Sequence, residues 1–358
     1  MIRAACASLL PVILITSVSL ALAQSPSKPE LVLTISGEEA VLAAAFSSQD
    51  QLAYAIQKTI ERGELWARGA EVYVVSLDGK EKKRILRADR FRELRTGRIL
   101  SFQIDRLVFS PDATKLAIEL TPREGATAVF FYKSTGGEIS LRGQGNFAAG
   151  YGVAWLGDNN SVGMLEEAAP PRLLHRIFVV RLEAGRFVPL FRPRLFAAVA
   201  WLAQKMEAVL VERDENFSQP PTLVRGNLVS GSVTPLGTEP DYLGGLRATG
   251  DAEGYSYFAG QNKLVRRKLN GEVAATMAIP FSHYEWLGTS GALAYLEPEK
   301  PGMQTGWLAL WDPQRTEGTR LLPDERIKNF WVAPDGKHVA VLTAEEIPVL
   351  KVYRLPVP

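Results

Sequence analysis

The sequence predicts an all-β protein, a propeller of seven four-stranded blades, and three observations predict it. A bulky residue followed by a polar turn recurs about every 45 residues: Phe46, Phe109, Trp155, Trp201, a degenerate site near Ala248, Trp286 and Trp331, at intervals of 63, 46, 46, 47, 38 and 45. Each anchor is followed at a regular offset by a second and a third strand-like run, and usually by a shorter fourth. The last unit stops after its third strand, while an unassigned apolar run, Leu31 to Ser36, waits near the amino terminus. A fixed period of this length means stacked supersecondary units, each too small to bury its own face.

The clearest copy of the anchor is Leu107-Val-Phe-Ser-Pro-Asp-Ala-Thr-Lys-Leu-Ala-Ile-Glu119: a strand, a tight Ser110-Pro111-Asp112 turn and a second apolar strand. Phe330-Trp-Val-Ala-Pro-Asp-Gly-Lys-His-Val-Ala-Val-Leu342 repeats it, and Ala44 to Tyr54 is a looser version. Third strands are expected at 71–77, 128–133, 176–182, 222–227, 263–269, 307–311 and 350–355. Shorter fourth strands are expected at 83–86, 138–141, 187–191, 233–236, 273–279 and 319–322. Pairing of Leu31 to Ser36 beside Lys351 to Leu355 would supply the missing fourth strand and remove an open edge.

Phe109-Ser-Pro-Asp112, Val332-Ala-Pro-Asp-Gly336 and Glu71-Val-Tyr-Val-Val-Ser-Leu-Asp-Gly79 resemble the repeat of TolB-like, WD-repeat-like bacterial propellers. The resemblance implies the fold; such propellers serve as binding scaffolds, gating domains and enzymes alike.

Met1-Ile-Arg3, the apolar run Ala4 to Leu22 and the small-x-small pattern Ala21-Leu22-Ala23 read as a signal peptide over 1–23, with cleavage after Ala23. A polar linker, 24–30, follows without a basic stop-transfer cluster, so the mature chain is expected in the periplasm or secreted rather than integral to the membrane. The propeller occupies 31–358. Cys6 is the sole cysteine, which leaves the mature chain without disulfides or a thiolate nucleophile. With 41 Lys and Arg against 39 Asp and Glu, the balance gives no reason to expect nucleic acid.

In an antiparallel four-stranded blade, first-to-second and third-to-fourth turns lie on one face, while second-to-third and blade-to-blade connections lie on the other. The tight turns fall in the first class. The long connections, 57–70, 87–98, 121–127, 166–175, 212–221 and 297–306, fall in the second, and long loops on a rigid scaffold are where recognition sits. Lys80 to Arg98 carries nine basic residues against three acidic ones, a local net of +6. Arg90, Arg92 and Arg95 in this stretch are candidate contacts to an anionic envelope component or acidic protein. Arg106, His283 and Lys328 stand three residues before their anchors and are candidates for a positive ring in the channel.

Catalytic signals are poor. Gly254-Tyr-Ser-Tyr-Phe258 and Gly288-Thr-Ser-Gly-Ala292 approach the nucleophile-elbow pattern without closing it. His175, His283 and His338 lack metal-ligand spacing, and no cofactor is expected. The reading is a non-catalytic scaffold for a protein or envelope component. Its rival is an enzyme hydrolysing a sugar or lactone with Asp105, Asp241 or Glu39 at the channel mouth.

Overall fold

The computed structural model describes residues 28–37, 40–62, 65–91, 100–123, 126–139, 141, 147–167, 174–260, 263–278, 283–300, 302–311 and 318–356. The predicted signal peptide lies outside them. Among the described residues no helix is long and apolar enough to cross a membrane.

Antiparallel sheets account for nearly all regular structure. Val41–Phe46, Gln51–Arg62, Leu65–Ser76 and Lys82–Leu86 form one sheet in that order. Phe102–Phe109, Lys115–Pro122, Ala128–Lys133 and Phe147–Ala149 form another, and Tyr242–Ala248, Gly254–Ala259, Lys263–Lys268 and Val273–Ala278 a third. A larger sheet joins Tyr151–Trp155, Ser161–Glu167, His175–Arg181 and Arg186–Leu190 to Phe196–Leu202, Glu207–Glu212, Thr222–Asn227 and Val233–Thr238 through the pair His175 and Phe196. Another joins Tyr284–Trp286, Leu293–Pro298, Gly306–Trp311 and Thr319–Arg320 to Ile327–Val332, His338–Thr343 and Leu350–Arg354 through Gly306 and Ile327. Its far edge is Glu30–Ile35, which pairs antiparallel with Leu350–Arg354, Leu33 opposite Val352 and Ile35 opposite Leu350. The expected pairing of an amino-terminal strand beside the last one is therefore present, one residue earlier than predicted.

Second strands are the most buried, as His338–Thr343 shows at every position, because they are covered on both faces by neighbouring sheets. The larger apolar cores lie between consecutive four-stranded units. Phe131, Trp155 and Phe178 share one such core, and Phe46, Tyr54, Ala340 and Val352 share the one that brings the last sheet against the first. Turn chemistry fixes the first hairpins. Ser110 Oγ donates to Asp112 at 2.6 Å and accepts from the Lys115 amide at 2.9 Å, while Ala113 adopts φ 60°. In the 156–161 turn Asp158 instead accepts from the Ser161 amide at 2.7 Å and the Ser161 hydroxyl at 2.6 Å.

Indole groups tie consecutive four-stranded units together. Trp155 Nε1 donates to the Val108 carbonyl at 2.8 Å, and Trp201 Nε1 to the Gly152 carbonyl at 3.1 Å. Gly163 lies beneath Trp201, where a Cβ would come within 2.5 Å of the ring.

Three expectations are corrected. The segment 57–70 is not a loop: pairing runs from Gln57 opposite Ala70 to Arg62 opposite Leu65, since no proline or asparagine interrupts the ladder. The fourth strand beside Ala128–Lys133 is Phe147–Ala149, later than the expected 138–141, where Glu138 makes an isolated bridge to Tyr132 and the Ile139 amide donates to the Phe131 carbonyl at 2.8 Å. The anchor of the last unit is Val332 rather than Trp331, because the Ala333 amide, like that of Ser110, closes the hairpin on the carbonyl across the turn.

Candidate binding face

Strand direction sorts the connections into two ends. The hairpin turns at 47–50, 110–114, 156–160 and 333–337 share one end with the third-to-fourth turns. The longer second-to-third connections and the sheet-to-sheet links share the other. Large apolar side chains are unevenly placed between them. Phe217 (43 % exposed), Leu243 (69 %), Met303 (44 %) and Ile347 (57 %) all belong to the long-loop end. Leu243 lies at the start of a first strand and the other three in second-to-third connections. Of the other exposed large apolar side chains among the described residues, Leu31 and Val273 lie on outer strands and Val229 on a tight turn.

The loops carrying these residues are internally braced. Asp214 accepts from Ser218 Oγ at 2.7 Å and from the Ser218 and Gln219 amides at 3.1 Å each; these bonds, the hydroxyl foremost, hold its carboxyl down at about 2. The Arg213 guanidinium lies 5.5 Å from the Phe217 ring centre. In the 297–306 connection, Arg320 pairs with Glu297 at 2.6 Å and lies 3.9 Å from the Trp307 ring centre, and Arg326 pairs with Glu299 at 2.6 Å. The 343–349 loop is pinned by the Val349 amide on Thr343 Oγ at 2.9 Å. Apolar tips on a pre-ordered frame lose little conformational freedom on binding.

Four cations of the basic stretch that fall among the described residues are ion-paired within the molecule. Arg90 makes two bonds to Glu138, at 2.7 and 2.9 Å, and Tyr132 donates to the same carboxylate at 3.0 Å. Arg87 pairs with Asp89, Arg84 with Glu71 and Lys80 with Asp78. Arg92 and Arg95 lie outside the described residues.

Arg106, His283 and Lys328 occupy different environments. Arg106 is exposed and stands opposite Glu119 across the strand pair. Lys328 is exposed but falls at a bulge, between Ile327 and Asn329; with Val332 as anchor it matches Asp105, which is skipped in the same way between Ile104 and Arg106. The His283 ring packs edge-on against Phe330 at 4.9 Å, and its Nε2 is buried with no partner among the described residues. Burial pushes its pKa down, so it holds no charge at neutral pH.

Of the candidate carboxylates, Asp105 accepts from Thr121 Oγ1 at 2.6 Å and Gln103 Nε2 at 2.7 Å, Asp241 is exposed, and Glu39 lies outside the described residues. The sequence reading missed Glu119. It is 8 % exposed, its Oε2 accepts from the Gly152 and Val153 amides at 3.0 and 3.4 Å, and burial raises its pKa. Its signal was a charge inside the otherwise apolar run Leu116-Ala-Ile-Glu-Leu120. Nearby, the Tyr151 hydroxyl sits 2.6 Å from His175 Nδ1, and burial pushes the Tyr151 pKa up to about 12. Among the described residues no three His, Cys, Asp or Glu side chains are arranged to hold a metal ion.

No protein-family model matches the chain, and no curated protein matches it significantly. Solved structures do. A chain of the mitotic checkpoint complex aligns over 99 % of both chains at 13 % identity with a TM-score of 0.58. The Dos1 propeller aligns over 91 % of this chain and 95 % of its own at 10 % identity and 0.58. The propeller domain of the Trilobed protease from Pyrococcus furiosus aligns over 90 % and 99 % at 11 % identity and 0.58. At such identities the likeness shows the fold: a WD-repeat-like β-propeller.

Proposed function

We propose that this chain is an exported, non-catalytic binding scaffold that recognises a protein or envelope component through its long-loop face. In this reading it is a TolB-like propeller of seven blades, with Glu30–Ile35 completing the last. The blade count is supported by the four-strand periodicity of the sheets and by packing of the last sheet on the first. Export is supported by the composition of residues 1–23, and amino-terminal sequencing of the exported protein should begin at Gln24.

The observation that carries the binding role is the gathering of Phe217, Leu243, Met303 and Ile347 on one braced end. The test is retention of a specific component from envelope extract by immobilised mature protein, beside a Leu243→Asp/Ile347→Asp variant and a Val229→Asp control on the opposite end. Loss with the first variant alone supports the face; equal retention by all three removes it.

A second reading, sugar or lactone hydrolysis at the channel mouth, draws on Glu119, a buried carboxyl with a raised pKa that lies close enough to Asp105 to feel its charge. Turnover abolished by Glu119→Gln would favour it.

A further inference from the structure

We propose that the long-loop end of the sheets spanning 196–354 docks a peptide segment of a partner protein that carries lysine or arginine around apolar anchors. This rests on the reading that the long-loop end is the binding face, and adds the chemistry of the occupant.

Two independent observations converge on this sector. Among the described residues, all four exposed large apolar side chains of the long-loop end, Phe217, Leu243, Met303 and Ile347, fall in it. Its connections, 213–221, 239–241, 299–305, 321–326 and 344–349, carry nine acidic residues against three basic ones. Glu239, Glu299 and Glu325 are paired with Arg267, Arg326 and Lys351, Arg213 lies over Phe217, and Lys300 and, at its strand start, Lys328 add exposed positive charge. In contrast, Asp241, Asp324, Glu345 and Glu346 are exposed and make no ion pair among the described residues.

Charge and apolar surface alternate at short range. Glu345 and Glu346 directly precede Ile347, and Asp241 stands two residues before Leu243. An apolar anchor inserted beside Ile347 or Leu243 therefore brings its neighbours against carboxylates, which favours cationic flanks and repels acidic ones. The apolar contacts supply the desolvated centre, and the carboxylates steer and orient the segment. An anionic occupant fits this sector badly, since it would meet like charge with Arg87 and Arg90 already committed to Asp89 and Glu138.

The experiment selects displayed random peptides of about twelve residues on the immobilised mature chain. The leading peptide is then measured by fluorescence anisotropy against wild type, Leu243→Ser/Ile347→Ser, Glu345→Lys/Glu346→Lys and the opposite-end control Val229→Ser. Circular dichroism confirms that each variant is folded. The expected result is enrichment of Lys and Arg beside Leu, Ile or Phe, with affinity reduced at least roughly tenfold by each double variant and unchanged by the control. Affinity should also fall as salt is raised from about 50 to about 300 mM. Peptides that need Leu243 and Ile347 but are neutral or acidic, and indifferent to Glu345→Lys/Glu346→Lys, overturn the cationic occupant while leaving the binding face standing. Peptides indifferent to both double variants, or no enrichment at all, overturn the face as well.

Discussion

The indole Nε1 of Trp155 donates to the backbone carbonyl of Val108 at 2.8 Å, linking the end of one first strand to the preceding one, 47 residues earlier. Trp155→Phe keeps most of the buried area but leaves that carbonyl without its donor, at a cost of about 1–2 kcal/mol. Trp155→Ala also opens a cavity and costs roughly 3–5 kcal/mol. Chemical denaturation of both variants beside wild type separates the polar from the packing contribution. Gly163→Val drives a side chain into Trp201 and is expected to cost about 1–3 kcal/mol or more.

Arg90 and Glu138 form a two-point ion pair with Tyr132 as a further donor. Arg90→Glu brings two carboxylates together and lowers the melting temperature. The exchange Arg90→Glu/Glu138→Arg recovers part of the loss. Equal melting temperatures for single and exchanged variants would show that the pair is not formed in solution.

Burial lowers the pKa of both His175 and His283 below the ordinary 6.5, so the unfolded chain binds the extra protons. Their contribution is therefore complete above pH 6.5 and is lost as pH falls from there toward the folded-state values. Melting temperature should decline over that window, and His175→Gln/His283→Gln should flatten the decline. An identical slope in the variant contradicts buried neutral imidazoles.

Deleting Glu30–Ile35 strips an entire edge, including the half-buried Val32, Leu33 and Ile35, from Leu350–Arg354. The expected loss is on the order of 3 kcal/mol. Arg354→Ala removes only the exposed pair with Glu30 and should cost less than about 1 kcal/mol. A deletion as mild as Arg354→Ala would mean that the strand adds nothing beyond that pair.

Much of this architecture was legible because its rules are local. Ser110-Pro111-Asp112 announces a turn through the hydrogen bonds it makes within five residues, and apolar runs such as Val339 to Leu342 mark strands covered on both faces. What stayed hidden depends on distance. Arg90 reads as a free cation until folding brings Glu138, 48 residues later, against it. Phe217, Met303 and Ile347 are ordinary loop residues one at a time; their meaning comes from strand direction, which sets them on one end with Leu243. Glu119 stood out within its apolar run, but its partners, the Gly152 and Val153 amides, belong to the next sheet.

The pairing of Glu30–Ile35 with Leu350–Arg354 also sets a schedule. Almost every other ladder joins strands that leave the ribosome or translocon in close succession, so the sheets can assemble one after another as the chain emerges. The strand at 30–35 cannot follow that order: Arg354, which donates to Glu30 at 2.9 Å, arrives 324 residues later. Through that interval the earliest strand has no edge to join, a period in which foreign strand edges compete for it. Emergence of Leu350–Arg354 thus decides when Glu30–Ile35 becomes safe.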